Sequence, residues 1–580
     1  MQQKFNISIW LAFFLSFCIT TLSKAQGEVL AIPENSGEEI GLFSDRSIYL
    51  VSEDLYFSAY CKESPGNNSR EWSTVLYVEL IRWDGTKVTQ SKIPLSNGSA
   101  NSFIRIPGGI NSGNYYLRAY TMWMRNYSPY GYSYLPVKII NPKIAAIEPG
   151  PGNNEEPAFP VVSDIVQKLD GVVVSDLRET YGKRTLVDVG IQLPDELIPE
   201  RTSVAVVPVG SLDVQHSQLK FTQHAAEPIS GEIEFYPEIN GLTLTGKLMD
   251  AASGKPVPDA GMNLSSYSSA FYFSAVKSAR DGTFSFTLPR ETGEHELHIA
   301  AEGDGSDSYE ILIASEFCNK PVTLPYVPFN LNHQERAMAK TAWLNVQLAA
   351  KYHEEAPSAS AMQVPAYPFY GSPATVTYTE EFIELIDLRE FFFELVYHVS
   401  IGYENRNPYL FINGQGSSQF YPPLLLLDNI PVANDEQLLK IPSRRIDRIE
   451  VVSRGYVVGK NKYSGIISIY SNKKDMAGLE TGEANDFFNF RFYDLHDGST
   501  PGFLHPGVDS NIPDMRNLLH WQPGLADTDR VRFYTGDAKG AYQIVIRGVD
   551  KQGRNSVYMT GKFSVAIPPD TGSISTNGAN

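Results

Sequence analysis

The chain has 580 residues, of which 42% are hydrophobic and 20% charged, and it exceeds what one core can serve, since cores stop growing at roughly 250–300 residues. Its 32 Tyr and 30 Phe favour pleated surfaces over helical bundles. A formal charge of −18 opposes the phosphate backbone, because nucleic-acid binders gain affinity by releasing counterions with Lys and Arg, so nucleic acid is excluded as a partner.

The N-terminus reads as an export signal over 1–25: Lys4, the apolar run 7–17, then Ser23-Lys24-Ala25 as small-residue cleavage positions. That run is shorter than the ~20 residues a span requires. No later stretch reaches spanning length without charges, so the mature chain is expected to carry no transmembrane segment. Cys18 offers acylation as the alternative to ordinary cleavage. Cys61 and Cys318 then remain, either as buried free thiols or as an inter-domain disulfide in an oxidising compartment.

From 28 to 142, strand-length runs at 47–50, 55–59, 75–81, 103–106 and 115–120 alternate with turns such as Trp83-Asp84-Gly85-Thr86, which predicts a β-sandwich. A Pro-, Gly-, Asn- and Glu-rich linker is expected over 143–161. A second sandwich follows over 162–235, with strands at 186–191 and 203–207. A third covers 236–322, with strands at 243–248 and 282–287. Asn332 and Glu335 form a capping box ahead of a helix over 337–351, within a helix-and-linker stretch from 323 to 373. An α/β unit is expected over 374–477, with helical spacing over 380–396 and strands at 424–427, 446–452 and 466–470. Strands at 531–534, 542–546 and 563–565 predict a final sandwich over 478–566, ahead of a flexible tail at 567–580. The fold class expected is mostly β: tandem β-sandwich domains plus one α/β domain.

Three stretches resemble known families. Ser44-Asp45-Arg46-Ser47-Ile48-Tyr49-Leu50 with Glu53, and Ser112-Gly113-Asn114-Tyr115-Tyr116-Leu117-Arg118-Ala119-Tyr120, resemble the sandwich domains of the alpha-2-macroglobulin superfamily, although Val51-Ser52 stand where Pro-Gly is usual. The protease-trapping thioester of that superfamily has no counterpart, since Cys61 precedes Lys62-Glu63 and Cys318 precedes Asn319-Lys320. Thr245-Gly246-Lys247-Leu248, 254–260 and Asp281-Gly282-Thr283-Phe284 are similar to the non-catalytic carboxypeptidase-regulatory sandwich. Leu426-Leu427-Asp428-Asn429-Ile430-Pro431-Val432, Ile446-Asp447-Arg448-Ile449-Glu450-Val451 and 463–469 resemble the plug of TonB-dependent receptors, with Asn429 at a turn where the family prefers Gly. Too few residues follow for a barrel of about 22 strands, so the plug-like unit fills no pore encoded here. The last unit, through 512–517 and 519–523, is similar to the tail of secreted bacterial macroglobulin-like proteins that carry this module. These resemblances imply a Gram-negative envelope protein, periplasmic or associated with the outer membrane.

Catalytic signatures are missing: the chain has no G-x-S-x-G elbow and no phosphate loop. His224 and Glu227 match a metal-ligand spacing that Pro228 interrupts, and His295 and His298 fall on opposite strand faces. No catalytic residue, metal or cofactor is therefore assigned. Two partner-binding candidates stand out. Arg444, Arg445, Arg448, Arg454, Lys460 and Lys462 lie in a basic stretch of an acidic chain, as a partner-steering patch or as a solvated face. Tyr127, Tyr130 and Tyr132 lie beyond a strand end in a run of aromatics, as an exposed stacking loop or as sandwich core. The function expected is a non-enzymatic exported binding or scaffold protein with a protein partner. The alternatives are an accessory subunit that docks its plug-like unit with a separately encoded outer-membrane barrel, and a macroglobulin-like protease inhibitor lacking a thioester.

Overall fold

The computed structural model describes residues 38–62, 73–151, 161–163, 171–212, 218–221, 234–266, 272–302, 308–352, 368–413, 421–432, 434–458, 461–479, 485–494, 513–525, 530–551 and 555–566. The export signal, Lys460, the His224–Glu227 pair and the C-terminal tail lie outside them. The chain is mostly β, as its alternation and aromatic content require.

The first sandwich packs the strands Glu39–Ser44, Asp54–Lys62 and Ser99–Arg105 against a larger sheet. That sheet holds Lys87–Pro94, Val75–Ile81, Gly113–Tyr120 and Ser133–Ile140, with Leu219–Phe221 and Val161–Ser163 beyond. The Trp83-to-Thr86 turn forms as its sequence indicates. Gly85 takes a positive φ, which glycine adopts at no steric cost, and the Arg82 amide donates to the Thr86 carbonyl. The expected linker packs against this sandwich before it enters the undescribed stretch. Its Glu148 pairs with Arg82 and accepts from the Tyr115 hydroxyl.

The second sandwich departs from the order of the chain. Leu186–Gln192 pairs with Arg530–Tyr534, and Leu197–Pro208 lies between Gly540–Asp550 and His520–Gln522. The expected second and final sandwiches are thus halves of one domain. Their common core includes Val187, Val189, Val204, Phe533, Ile544 and Phe563. The third sandwich is likewise completed from afar, since Asn485–Arg491 pairs with Glu294–Glu302. The α/β unit is inserted into the third sandwich, and the third into the second. Two nested insertions therefore replace a linear array. Hydrophobic alternation fixes which face of a strand is buried but not which strand lies beside it, and for this reason the expected boundaries fail.

The long helix runs His333–Tyr352 behind the expected cap. The Asn332 amide donates to Glu335 Oε2 at 2.8 Å, and the Glu335 amide donates to Asn332 Oδ1 at 2.9 Å. These are the two reciprocal bonds of a capping box. Ala339 and Ala342 of the helix pack on Ile48, Leu50 and Ile140 of the first sandwich. The expected helix over 380–396 is shorter, Leu388–Glu394. The Asp387 side chain accepts from the Glu390 amide and starts the helix there, while Ser443 Oγ donates to the Leu385 carbonyl and holds the preceding segment against the sheet end.

The first and third sandwiches share one continuous core. At their seam, buried Glu238 accepts from the Tyr77 hydroxyl at 2.9 Å and from the Thr243 amide at 2.7 Å. Burial pushes its carboxyl up to about 7. A carboxyl raised in the folded state contributes stability that is complete below its unfolded pKa and lost as pH rises through its folded one. Glu238→Gln keeps an acceptor for Thr243 and removes the ionisation. Its melting temperature should gain on the parent between about pH 4.5 and 7, by on the order of 3 °C, and hold level above. Scanning calorimetry across pH checks this, and a pH-independent difference would contradict it.

Candidate functional site

The α/β unit is built on a sheet in the order Thr375–Tyr378, Ile446–Val452, Ile466–Ser471, Leu424–Leu427 and Ile430–Pro431. Both of its faces are covered, so its strands read as unbroken apolar runs rather than alternating ones. On one face, Leu388, Phe391, Phe392, Leu438 and Leu439 from two short helices meet Leu425, Leu427, Ile449 and Ile467. On the other, Leu424, Leu426, Val452 and Ile466 pack against Phe273 and Ala275 of the third sandwich and against Tyr370. The Asp428-Asn429 turn places both residues at positive φ. This is the left-handed pair that a two-residue hairpin needs and that Asn and Asp tolerate. Asp428 then accepts from the Ser471 amide at 2.7 Å, the Met476 amide at 2.8 Å and Ser471 Oγ at 2.5 Å.

Two of the six basic candidates, Arg448 and Arg445, serve this scaffold. Arg448 lies 3.9 Å from the centroid of the Tyr470 ring and bonds Glu450 at 2.8 Å and Asp447 at 2.9 Å. Glu450 in turn accepts from the Tyr370 hydroxyl at 2.7 Å. Arg445 donates to the Ala477 carbonyl at 2.6 Å, pinning a loop in which Lys474, Met476 and Ala477 all have positive φ. Lys462 sits 5.8 Å from the Tyr421 ring centroid. Arg444 and Arg454 are exposed, but the whole strand Ile446–Val452 separates them, so they sit near its opposite ends. Arg444 and Arg454 thus lie apart. Lys460 lies outside the described residues.

The aromatic loop is also mostly interior. Tyr132 is buried and stacks on Tyr120 at 4.5 Å, its hydroxyl donating to Cys318 Sγ. Tyr130 is half-buried against Phe221, and its hydroxyl accepts from the Thr323 amide. Tyr127 packs edge-on against Trp123. The expected exposed stacking loop is therefore corrected to a core edge, because the chain beyond residue 317 covers it. Cys61 and Cys318 are both buried thiols, and no disulfide joins them. His295 meets the Phe492 ring edge-on, and the His298 ring lies tilted against Phe487. Among the described residues no group of three or more His, Cys, Asp or Glu is placed to hold a metal, and no helix is long and apolar enough to cross a membrane.

The feature that sequence reading missed is the outer surface of the α/β unit. Ile383 (86% exposed), Ile386 (82%), Phe393 (78%) and Tyr397 (77%) project from the helix and its flanking turns. Beside them the hairpin Val399–Glu404 and Asn407–Ile412 lays the Tyr409 ring across Gly402, where a Cβ would lie 2.4 Å from the ring, with Phe411 5.9 Å beyond. Arg389 bridges helix and hairpin by donating to the Tyr403 hydroxyl at 3.4 Å. Glu380, Glu381, Glu384, Glu394 and Glu404 lie on the same segments, all exposed, and among the described residues none of them is ion-paired. Exposed apolar clusters of this kind mark interaction surfaces. The sequence signal was the alternation of acids with large apolar residues over 380–394, which helical periodicity masked as an ordinary buried face.

No family model matches the chain, and no curated protein matches it. Several solved structures are similar over most of its length. Native alpha-2-macroglobulin of Escherichia coli has 9% identity and a TM-score of 0.22, covering 93% of this chain and 40% of that one. Salmonella alpha-2-macroglobulin reacted with methylamine has 9% identity and a TM-score of 0.21, covering 92% and 40%. Dimeric latent PorU of Porphyromonas gingivalis is similar over a smaller part, with 8% identity and a TM-score of 0.15, covering 48% and 33%. The chain spans less than half the length of each of these three.

Arg448 and Arg444 are equally basic in sequence but differ in consequence. Arg448→Ala leaves buried Glu450 without its cation and removes the stacking on Tyr470. It should weaken hydrogen-exchange protection of the Ile446–Val452 amides by about 1–2 kcal/mol. Arg444→Ala and Arg454→Ala should stay within about 0.5 kcal/mol. Equal effects from the three variants would contradict the assignment of Arg448 to the scaffold.

Proposed function

We propose that the protein is a non-catalytic, exported envelope scaffold that binds a partner protein through the outer surface of its α/β unit. The observation that carries this reading is the concentration of large exposed apolar side chains on the Leu388–Glu394 helix, its flanking turns and the neighbouring hairpin, with exposed carboxylates on the same segments. Leaving Ile383, Ile386 and Phe393 in water forgoes burial worth roughly 1.5–3 kcal/mol each, a cost that docking recovers. These carboxylates select a partner that presents cationic and apolar groups together and speed its encounter. Two covered sheet faces hold the surface on a rigid base, so little ordering is required on binding.

The resemblance of this unit to receptor plugs suggests the class of partner, a separately encoded outer-membrane barrel, and supports a reading of the chain as an envelope protein. Exchange of Phe393 or Tyr403 for a photo-crosslinking phenylalanine in intact cells should give one discrete adduct. The adduct should vanish in a Tyr397→Asp, Ile386→Asp background and fade in high salt, and its mass should identify a barrel. The same reagent at exposed Lys255, on the third sandwich, should give none. Adducts that are diffuse, or unchanged by the aspartates, would refute the docking surface.

A further inference from the structure

A second site lies away from the docking surface, where the third sandwich meets the α/β unit. There a cleft of about 690 Å³ opens between Pro258–Gly261, Lys277, Glu302 and Tyr309 on one side and Tyr421, Pro422 and Asn461–Tyr463 on the other. Its two walls are fixed relative to each other by the apolar seam beneath. Phe273 of the sandwich stacks on Phe369 at 5.2 Å, and Tyr463 shares a core with Phe273, Leu424 and Ile466. A cleft between packed domains, with aromatic faces and a few placed polar groups, is the usual form of a ligand site.

Its chemistry narrows the ligand. Charges on the walls balance, Asp259 and Glu302 against Lys277 and Lys462, in a chain whose total is −18. Such a lining gives no net attraction to an anion or a cation. Recognition is left to ring faces and hydrogen bonds. Tyr421 is 41% exposed and Tyr309 half-buried, both at the cleft. Asn461 supplies an amide with donors and an acceptor, and Glu302 a carboxylate with acceptors only. The Asn263 side-chain amide donates to Glu302 Oε1 and so sets the orientation of that carboxylate.

Gly261 adds an independent indication. It opens the strand Gly261–Ser266, opposite Lys277 on one side and Glu302 on the other, and its φ is not positive, so no turn requires it. A Cβ at this position would lie 2.9 Å from Glu302 Oε2. Glycine is thus the residue that leaves this carboxylate uncrowded in the cleft.

We propose that this cleft binds a neutral oligosaccharide, with C–H faces of the sugar rings packed on Tyr421 and Tyr309 and hydroxyls bonded to Glu302 and Asn461. Hydroxyl-rich rings satisfy a lone carboxylate and an amide through neighbouring hydroxyls, and their C–H faces suit aromatic platforms without needing charge.

The test is saturation-transfer NMR and calorimetry on the full exported chain with cellohexaose, maltohexaose and mannohexaose, and with a neutral Gly-Ser hexapeptide as the competing ligand class. At least one of the hexasaccharides should bind. Tyr421→Ala should weaken it by about tenfold, the worth of one good aromatic contact. Gly261→Ala should weaken it too, by displacing the Glu302 carboxylate, and circular dichroism should confirm that the variant is folded. Tyr397→Asp, on the docking surface, should leave sugar binding unchanged, so this site and the docking surface stand or fall separately. Binding of the peptide alone, of none of the sugars, or of a sugar with undiminished affinity for the folded Tyr421→Ala protein would overturn the proposal.

Discussion

The antiparallel pairing of Leu197–Pro208 with Gly540–Asp550 is the constraint on which the architecture depends. It joins segments that flank the third sandwich and the α/β unit, so both inserted domains hang from one closed loop of chain. The closure entropy grows only logarithmically with loop length, and a long insertion is tolerated once the sheet core outweighs it. The pairing also delivers Arg547 to the first sandwich, where its Nη1 donates to the Ser44 carbonyl at 2.9 Å. There Arg46 bonds Asp45 and Glu53, each at 3.0 Å, and Tyr49 donates to Asp45 at 2.7 Å. Two buried cations and buried Asp45 are thereby joined by half-buried Glu53 into a neutral set. Burial lowers Arg547 to about 10, which still leaves it charged near neutral pH.

The same junction seats the long helix. Asn517, just ahead of the His520–Gln522 strand, donates to Glu53 at 2.7 Å and accepts from Asn345 of the helix at 2.9 Å. Tyr56 and Phe103 of the first sandwich close over Trp521 and Val545. Buried ionic sets of this kind contribute little net stability, yet loss of one member leaves a charge without its partner. They act here to fix the angle at which the second sandwich meets the first. The proposed docking surface lies on the helix face of the α/β unit, and the proposed ligand cleft lies where that unit meets the third sandwich.

Local structure was largely legible in the sequence. The Asn332–Glu335 cap, the Gly85 turn, the Asp428-Asn429 hairpin and the strands around Val75, Thr283, Leu424 and Ile446 form where alternation and capping chemistry place them, because their determinants lie within a few residues of one another. Partnership was not legible. Nothing local to Leu186–Gln192 distinguishes Arg530–Tyr534 from a nearer strand as its neighbour, since a half-buried strand reads alike beside either. The basic stretch misled for a related reason. Charge in sequence does not reveal that Arg448 stacks on Tyr470 or that Arg445 serves a strained loop, because Tyr470 lies on the neighbouring strand and Ala477 in the turn beyond it. The acidic-apolar segment over 380–394 held the opposite lesson, as its spacing described a buried helix face while the sheet beneath had room for only part of it.

The claim that the end of the chain completes the second sandwich is tested most directly by hydrogen exchange on the full chain and on a chain ended before residue 513. The account predicts that the shortened protein loses amide protection throughout Leu186–Gln192 and Val204–Val207 while Ile446–Val452 and Thr243–Asp250 keep theirs. Undiminished protection of Leu186–Gln192 and Val204–Val207 in the shortened chain would contradict it.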